Sequence, residues 1–326
     1  MRLMHTRICS IMLLIAFTAM LLLSGCAEKK SGANEEKGEG QLTRIGQDAR
    51  SVRWSPDGTK LAVVTAKGYL AIYEAANDGM FQLSRYADKK TGYINARSLA
   101  WGADGSKIYY YDRLIDEKTN EPAPLEYGTQ LTSADLISGK VTNVHPQFIE
   151  SVSSLDASLE GSKLYMTTYE RKKYSIVSFQ LKEGLHQDLT KQLAVDPAGG
   201  SRLSRDGRWL FVNEHSAEGD RYQGVLIELA TGQKRVISDQ YLDSASFSPD
   251  GLWLAYVGTD HTVFVIPTDQ HAGADSIVSS EQGVMALDWS PQGDRIALTA
   301  QAEAGSRSAQ LYLMEVPQSY RSNAKP

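Results

Sequence analysis

The chain has 326 residues, of which 34 are basic and 39 are acidic, so its formal net charge at pH 7 is −5. This mildly acidic balance argues against a nucleic-acid partner and against attachment to anionic lipid by charge. The length alone would allow two ordinary domains, but the repeats described below predict one large domain.

The first 26 residues form a targeting segment that does not belong to the fold. Arg2, His5 and Arg7 make a basic start, and residues 8–23 are an apolar run that is short for a transmembrane helix and suits a signal-peptide core. The run ends in Leu-Ser-Gly-Cys, which resembles the lipobox of bacterial lipoproteins, where the signal is cut before a cysteine that then carries diacylglycerol. We expect a signal peptide over residues 1–25 and lipidation of Cys26. The alternatives are an ordinary signal peptide that holds a cysteine and an uncleaved anchor.

Cleavage at this position changes the charge and the thiol content of the mature chain. Loss of Arg2 and Arg7 leaves 32 basic against 39 acidic residues, a net charge of −7, and loss of Cys9 with acylation of Cys26 leaves no thiol for redox or metal chemistry. Acyl chains such as palmitate would hold the protein on the extracytoplasmic face of the cell membrane, or in the outer membrane if the host has one. Residues 26–40 are predicted to be the lipidated cysteine and a flexible tether, since 27–40 lack large apolar residues.

A hairpin plan then recurs six times between residues 41 and 317. The first copy, residues 51–65, reads SVRWSPDGTKLAVVT, and its turn combines Pro56, which pre-sets φ, Asp57, which accepts backbone N–H bonds, and Gly58, which supplies a positive φ. The pivot glycines of the six copies are Gly58, Gly105, Gly161, Gly207, Gly251 and Gly293. Four of the turns contain an aspartate, namely Asp57, Asp104, Asp206 and Asp250. These residues could be metal ligands or catalytic groups, but turn capping alone accounts for them.

Apolar residues occupy the same three positions in every copy. They stand four residues before, three after and five after the pivot glycine: Trp54, Trp101, Ala157, Leu203, Phe247 and Trp289; Leu61, Ile108, Leu164, Leu210, Leu254 and Ile296; Val63, Tyr110, Met166, Val212, Tyr256 and Leu298. The spacings between pivot glycines are 47, 56, 46, 44 and 42 residues. Periods of this size with several strands each are typical of a β-propeller with one four-stranded sheet per blade.

We therefore predict an all-β, six-bladed β-propeller over residues 41–317, followed by a C-terminal tail over 318–326. The short strand 41–45 has no earlier partner, and the last blade lacks its fourth strand, so the N-terminal strand is predicted to close that blade. Other predicted strands are 69–73, 81–85, 174–179, 224–229, 261–266 and 310–316. The insertion 112–128 is predicted to be irregular because it contains two prolines, and Tyr109, Tyr110 and Tyr111 to pack between blades.

The strand, the SPDG-like turn and the following Lys-Leu-Ala strand resemble the PD40 or WD40-like repeats of TolB-type propellers, and similar repeats form the propeller of prolyl oligopeptidases. The resemblance covers roughly residues 41–316 and implies the fold. TolB carries an α/β domain before its propeller, where this chain is expected to have only a tether. Prolyl oligopeptidases carry a hydrolase domain, where this chain is expected to stop after the sixth blade.

No sequence motif for catalysis is present. The chain contains no Gly-x-Ser-x-Gly, HExxH, P-loop or EF-hand pattern, and its histidines lack metal-ligand spacing. The sequence therefore leaves enzymatic activity uncertain and favours its absence, with no cofactor and no metal.

Propeller geometry predicts which face carries a binding site. Loops between the second and third strands of each blade emerge beside the segments that join the blades, and the Asp-Gly turns lie on the opposite face. The first face gathers the candidate binding residues, of which Arg50, Arg97 and Asp243 are placed near the channel mouth. The full set is Arg50, Tyr93, Arg97, Asp112, Arg113, Glu117, Glu126, Tyr127, Arg171, Lys172, Arg221, Asp243 and Asp260.

Two function classes follow. The first is a binding module at the cell envelope that docks a protein or peptide, expected to be a monomer with the insertion 112–128 as its main determinant. The alternative is a sugar- or metabolite-binding propeller, which could act as an enzyme on envelope glycans and would need polar residues that converge at the channel mouth.

Overall fold

The computed structural model of the chain describes residues 42–65, 70–74, 81–83, 94–113, 115–116, 121–122, 129–144, 149–217, 219, 221–269, 273–278, 283–301 and 309–321. Within these residues, six four-stranded antiparallel sheets succeed one another along the chain. They are the six blades of an all-β propeller, as the repeat predicts. Cys26, Tyr93 and the tether lie outside the described residues.

Blades one to three lie between residues 49 and 188. Blade one has β2 (Ala49–Trp54), β3 (Lys60–Thr65), β4 (Leu70–Glu74) and β5 (Phe81–Leu83), and β1 (Leu42–Gln47) precedes it. Blade two has β6 (Ile94–Trp101), β7 (Lys107–Arg113), β10 (Thr129–Asp135) and β11 (Val141–Asn143), with β8 (Ile115–Asp116) and β9 (Glu121–Pro122) between. Blade three has β12 (Ser151–Ala157), β13 (Lys163–Glu170), β14 (Lys173–Gln180) and β15 (Leu185–Asp188).

Blades four to six follow between residues 197 and 315, and β1 completes blade six. Blade four has β16 (Pro197–Leu203), β17 (Trp209–His215), β18 (Tyr222–Glu228) and β19 (Lys234–Ser238). Blade five has β20 (Ala245–Phe247), β21 (Trp253–Val257), β22 (Val263–Pro267) and β23 (Asp275–Val278). Blade six has β24 (Val284–Trp289), β25 (Arg295–Gln301) and β26 (Ala309–Glu315). The first strand of each blade is its inner strand.

The turn after each inner strand has the chemistry that the sequence predicts. In blade one, a carboxylate oxygen of Asp57 accepts hydrogen bonds from the Ser55 hydroxyl (2.5 Å) and the Thr59 N–H (3.1 Å), while Gly58 has φ +68°. Asp104 caps its turn through the N–H and hydroxyl of Ser106. The turn aspartates are therefore capping residues, as predicted.

In the part of the chain that the structure describes, the core consists of six clusters, each of which lies between two neighbouring blades. Of the eighteen apolar positions that the repeat defines, all but the half-buried Ala157 are buried. Tyr110 packs toward blade one and Tyr111 toward blade three, so the three tyrosines pack between blades as predicted. Strands with both faces against neighbours read as continuous apolar runs, and each buried Leu or Val contributes about 1.5–3 kcal/mol.

The N-terminal strand closes the ring. Strand β1 pairs antiparallel with β26 as the fourth strand of blade six, with Leu42 opposite Met314 and Thr43 opposite Leu313. This pairing confirms the predicted closure and joins the two ends of the propeller within one sheet.

Three local features differ from the sequence predictions. The insertion 112–128 is not wholly irregular, because β8 pairs with β9 and Ile115 lies opposite Pro122; a proline is tolerated in so short an edge strand. Strand β22 begins at Val263, because a turn precedes it in which His261 has φ +64°. The predicted tail begins with a 3₁₀ turn, Gln318–Tyr320, that holds the Tyr320 hydroxyl 2.7 Å from Asp275.

No described helix is both long and apolar enough to cross a membrane.

Candidate functional site: the central channel

The six inner strands bring one residue each to the channel, at the position five before the pivot glycine. Successive strand residues point to opposite sides of the sheet, and the residue four before the pivot glycine is apolar and mostly buried between blades. The residue five before it therefore points to the other side. Its occupants, in order around the ring, are Arg53, Ala100, Asp156, Arg202, Ser246 and Asp288. All six line one cavity. The order Arg, small residue, Asp thus occurs twice around the ring and places two cations and two anions at its centre. We call these four residues, Arg53, Asp156, Arg202 and Asp288, the charged layer.

Arg202 joins three blades through this charged layer. Its Nη1 lies 2.8 Å from Oδ1 of Asp156, and its Nη2 donates to Oδ1 of Asp288. The side chains of Arg202 and Asp288 are 13% and 5% exposed. Burial alone lowers the pKa of Arg202, but Asp156 and Asp288 outweigh burial and raise the pKa above its ordinary value. The guanidinium is therefore a permanent cation at the centre of the channel.

Both carboxylates also accept hydrogen bonds from the backbone of a neighbouring inner strand. Oδ2 of Asp156 accepts from the Leu203 N–H at 3.0 Å, and Oδ2 of Asp288 accepts from the Trp54 N–H at 2.7 Å. The Ser246 hydroxyl donates to Oδ1 of Asp288 at 3.1 Å. Buried carboxylates with this many donors are satisfied, so they hold the blades together as well as neutralising Arg202.

Arg53 is much less well paired. Its nearest described carboxylate is Asp288, whose Oδ1 lies 3.9 Å from Nη1, and its buried Nε has no hydrogen-bond partner among the described residues. Burial lowers the pKa of Arg53 to about 10, and nearby Arg202 adds to that effect, while Asp288 and Asp156 partly oppose it. The layer therefore contains one satisfied arginine and one that keeps hydrogen-bonding capacity.

The charged layer separates two cavities. The larger, of about 320 Å³, lies on the face that carries the segments between blades, and we call it the loop-face chamber. The smaller, of about 150 Å³, lies on the face of the Asp-Gly turns, and we call it the turn-face chamber. Arg53 and Arg202 line both chambers, whereas Asp156 and Asp288 line only the turn-face chamber.

Polar groups converge in the loop-face chamber. Arg50 comes from the start of the inner strand β2, Asp243 from the segment before the inner strand β20, His261 from the turn before β22, and Asn213 from β17. The Asn213 amide is held by Leu242, which accepts from its Nδ2 and donates to its Oδ1, both at 2.9 Å. Such convergence of fixed polar groups is typical of ligand sites.

An aromatic cluster extends from this chamber toward solvent. Tyr241 lines the chamber, and its ring lies edge-on to Tyr222 at 5.8 Å between centroids; Tyr222 also contacts His215 at 5.2 Å. Tyr222 is 48% exposed. Gly199 makes room for Tyr241, because a Cβ there would lie 2.5 Å from the Tyr241 hydroxyl oxygen. Exposed aromatics beside a cavity are common anchors in binding surfaces.

The turn-face chamber has a more apolar entrance. Five of the six residues two before the pivot glycines are apolar, and the sixth, Arg205, donates to the Pro56 carbonyl at 2.9 Å. Burial lowers the pKa of Arg205, and Asp288 opposes that effect. The two ends of the channel therefore differ in size and in chemistry.

The predicted site residues fall into four groups. Arg50 and Asp243 meet in the loop-face chamber. The turn residues Arg171 and Lys172 are exposed at positive φ, and Arg221 is exposed as well, while Asp260 caps its own turn through Thr262. Glu117, Glu126 and Tyr127 lie outside the described residues, like Cys26 and Tyr93. Only backbone is described for Arg97, Asp112 and Arg113.

The sequence analysis missed Arg53, Asp156, Arg202 and Asp288. The signal was present, since each stands directly before one of the apolar positions used to align the repeats. Tyr241 and Tyr222 had no such signal. Among the described residues, no three His, Cys, Asp or Glu side chains are grouped so that they could hold a metal ion.

No protein-family model and no curated protein matches this sequence. Solved structures match at low identity. TolB from Acinetobacter baumannii matches with a TM-score of 0.51 and 16% identity, over 86% of this chain and 55% of that one, so this chain spans about half its length. A TolB-type protein from Agrobacterium tumefaciens matches with a TM-score of 0.59 and 15% identity, over 85% of this chain and 91% of that one. This chain has the TolB-type, WD40-like propeller fold.

A third match is a chain from the crystal structure of a nidogen/laminin complex, with a TM-score of 0.55 and 14% identity over 72% of this chain and 82% of that one. The resemblance that the repeats predict is thus confirmed as a likeness of fold. Identities this low show nothing about ligand or partner.

Proposed function

We propose that this chain is a lipid-anchored binding module at the cell envelope, which docks a segment of a protein or peptide through its loop-face chamber. The observation that carries the proposal is the chamber itself. It is a cavity of about 320 Å³ whose lining combines Arg50, Asp243 and Tyr241. Arg50 belongs to the inner strand β2, and Tyr241 and Asp243 lie in the segment that leads into the inner strand β20. Binding residues on such a scaffold need little reordering when a ligand enters.

The aromatic cluster, of which Tyr222 is exposed and Tyr241 is partly buried, favours a polypeptide ligand. Tyr222 and Tyr241 offer broad apolar surfaces with hydroxyl groups at the edge, and tyrosine is enriched where proteins bind one another. The nidogen/laminin structure supports the proposal, since a propeller-like chain occurs there in a complex of proteins. A segment that enters the chamber could pack on the cluster and reach the arginines below it.

The cellular location rests on the sequence. The basic start, the apolar run and the Leu-Ser-Gly-Cys motif support lipidation of Cys26 on the extracytoplasmic face of the membrane, and outer-membrane sorting in a host that has one. Mass spectrometry of the chain from membranes should find a diacylated Cys26 at its N-terminus. A Cys26→Ser variant that stays acylated would contradict the proposal.

The partner can be sought by in-cell crosslinking and affinity capture of the tagged full chain. We expect a protein that is recovered with the unaltered chain and lost with a Tyr222→Ala, Tyr241→Ala double variant. Leu159→Ser is the matched control, because Leu159 is 57% exposed and lines the turn-face chamber. Deletion of residues 117–125 should also abolish recovery, because the insertion 112–128 is predicted to be the main determinant of binding. Equal recovery with the chamber variant and the unaltered chain would overturn the proposal.

A sugar or metabolite ligand is the second candidate. Arg50, Asp243 and Asn213 converge in a cavity whose volume is within the range of small-molecule sites. Thermal-shift measurements on the full chain with envelope sugars and metabolites test this candidate. A ligand that raises the Tm of the unaltered chain, but not that of an Asp243→Ala variant, would favour it.

A further inference from the structure

The loop-face chamber is positively charged within an acidic protein. Its described lining includes the arginines Arg50, Arg53 and Arg202 but only one carboxylate, Asp243, whereas the whole chain has a net charge of −5. The acids of the charged layer, Asp156 and Asp288, line the other chamber. A cavity with one sign of charge and low-dielectric walls concentrates ions of the opposite sign.

Arg53 is the largely buried cation in this lining with unused hydrogen-bonding capacity, whereas Arg50 is exposed. Arg202 is neutralised by two carboxylates at hydrogen-bond distance, whereas Arg53 has one carboxylate at 3.9 Å and a buried Nε without a described partner. The Arg53 side chain is 14% exposed. A buried donor without an acceptor destabilises the fold, and a ligand that supplies the acceptor removes this cost.

The backbone fixes Arg53 at the centre of the channel. Residue 53 pairs with Ala62 in the sheet, and its carbonyl accepts a hydrogen bond of 3.0 Å from Nε1 of Trp101 in the next blade. The Arg53 side chain lines both chambers, so it lies at the boundary between them, which is the inner end of the loop-face chamber. A planar guanidinium there suits an oxyanion that accepts two parallel hydrogen bonds.

We infer that Arg53 receives a carboxylate group carried by the peptide segment that enters the loop-face chamber. This inference rests on the proposed function, because it concerns the same chamber and names the chemistry of the partner. The carboxylate would be an acidic side chain or the chain terminus. The aromatic cluster favours a peptide over a free acid, since Tyr222 and Tyr241 can pack on the residues behind the carboxylate.

The test is a titration of the full chain in detergent micelles, followed by NMR of ¹⁵N-labelled arginine side chains. The probes are the peptide acetyl-Ala-Ala-Glu-amide, its isosteric partner acetyl-Ala-Ala-Gln-amide, and glutarate as a free carboxylic acid. We expect the glutamate peptide to shift the Nε resonance of Arg53, with an affinity at least about tenfold above that of the glutamine peptide. The affinity should fall as salt is added.

Three variants separate recognition from mere structural support. Arg53→Gln should weaken binding of the glutamate peptide at least about tenfold. Asp243→Asn, which removes the negative charge from the chamber, should tighten it. Arg208→Gln is the matched control, because Arg208 is a 47% exposed arginine whose ion-pair partner is Glu228, and it should leave the affinity unchanged. If these charge changes acted only on the stability of the fold, the Asp243→Asn variant would not bind the glutamate peptide more tightly.

The outcomes are distinct. Equal affinity for the glutamate and glutamine peptides, or unchanged binding by Arg53→Gln, would overturn the inference. Either result would leave the proposed function standing if a partner protein is captured in cells. Tighter binding of glutarate than of the glutamate peptide would overturn the choice of a peptide and favour a free acid. Because the titration uses synthetic probes, failure to capture a partner in cells would count against the proposed function alone.

Discussion

Arg202 on the inner strand of blade four donates a hydrogen bond to Asp288 on the inner strand of blade six, so this ion pair spans the channel and passes over blade five. Neighbouring blades are already joined by apolar clusters, whereas this contact joins blades that share no cluster. The charged layer therefore adds a connection across the ring to those along it.

Removing Arg202 should strongly destabilise the propeller. An Arg202→Met variant leaves Asp156 and Asp288 without their shared cation, and breaking a buried pair from one side costs about 3–5 kcal/mol. Urea denaturation followed by tryptophan fluorescence measures the free energy of unfolding. Arg208→Met is the control, since its exposed pair with Glu228 is worth about 1 kcal/mol or less. Similar losses in the two variants would contradict the structural role of the layer.

Replacing Arg53 in the same way should have the opposite effect. Its pKa is lowered to about 10 in the fold, chiefly by burial. A base whose folded pKa lies below its unfolded pKa disfavours the fold at every pH below the folded value, and that cost disappears as the pH rises from about 10 toward the unfolded pKa. At pH 7 the cost is on the order of 3 kcal/mol. Arg53→Met should therefore raise the midpoint of urea denaturation. A lowered midpoint would show that the weak contact with Asp288 is worth more than burial costs.

The opposite signs of these two predictions bear on function. A buried arginine that destabilises the fold is typical of sites where stability is traded for binding. A bound carboxylate would offset that cost, because a ligand that binds only the folded state stabilises it.

The fold was predictable from sequence because its signal is local and repeated. Each pivot glycine stands a fixed distance from residues such as Trp54 and Leu61, so turn chemistry and burial point to the same hairpin six times. The closing strand was predictable because β26 would otherwise expose an edge. The charged layer is different, since the partners Arg202 and Asp288 are 86 residues apart and meet only because of the radius of the channel. Sequence register could place both in the channel, but it could not choose which aspartate each arginine would contact.

Two pivot glycines should respond unequally to alanine. Gly58 and Gly207 have similar φ angles, +68° and +71°, so alanine at either costs about 1–2 kcal/mol in left-handed backbone strain. A Cβ at Gly58 would also lie 2.1 Å from Oε1 of Gln292, whose Nε2 donates to the Asp57 carbonyl at 2.8 Å, whereas no atom lies within 4 Å at Gly207. Gly58→Ala should therefore cost about 1 kcal/mol more in unfolding free energy than Gly207→Ala. Equal costs would mean that the Gln292 contact contributes nothing.

Turn carboxylates should make the protein sensitive to acid. Hydrogen bonds from the N–H and hydroxyl of Ser106 lower the pKa of Asp104. Burial alone raises the pKa of Asp57, but bonds from Ser55 and Thr59 outweigh it and lower the pKa below 3.8. A lowered folded pKa stabilises the fold above the unfolded pKa, and this stabilisation is lost as pH falls through the folded value. Calorimetry should show that the Tm decreases as the pH is lowered below about 4. An Asp57→Asn, Asp104→Asn double variant should melt lower at pH 7 and lose less Tm on acidification; an unchanged acid slope would contradict this.

Closure by β1 should matter more than an ordinary outer strand. Proline has no N–H to donate to a neighbouring strand. Thr43 and Arg44 lie opposite Leu313 and Tyr312 of β26, and changing both to proline removes the cross-strand N–H donor whichever of the two provides it. The Thr43→Pro, Arg44→Pro double variant should therefore detach β1 from β26. We expect a loss of several kcal/mol in unfolding free energy, and dimers in light scattering, because the exposed edge of β26 can pair with another copy. A His186→Pro, Gln187→Pro variant is the matched control, since β15 is also an outer strand but joins no chain ends. If both variants lose equal stability and stay monomeric, ring closure adds nothing beyond the hydrogen bonds of one outer strand.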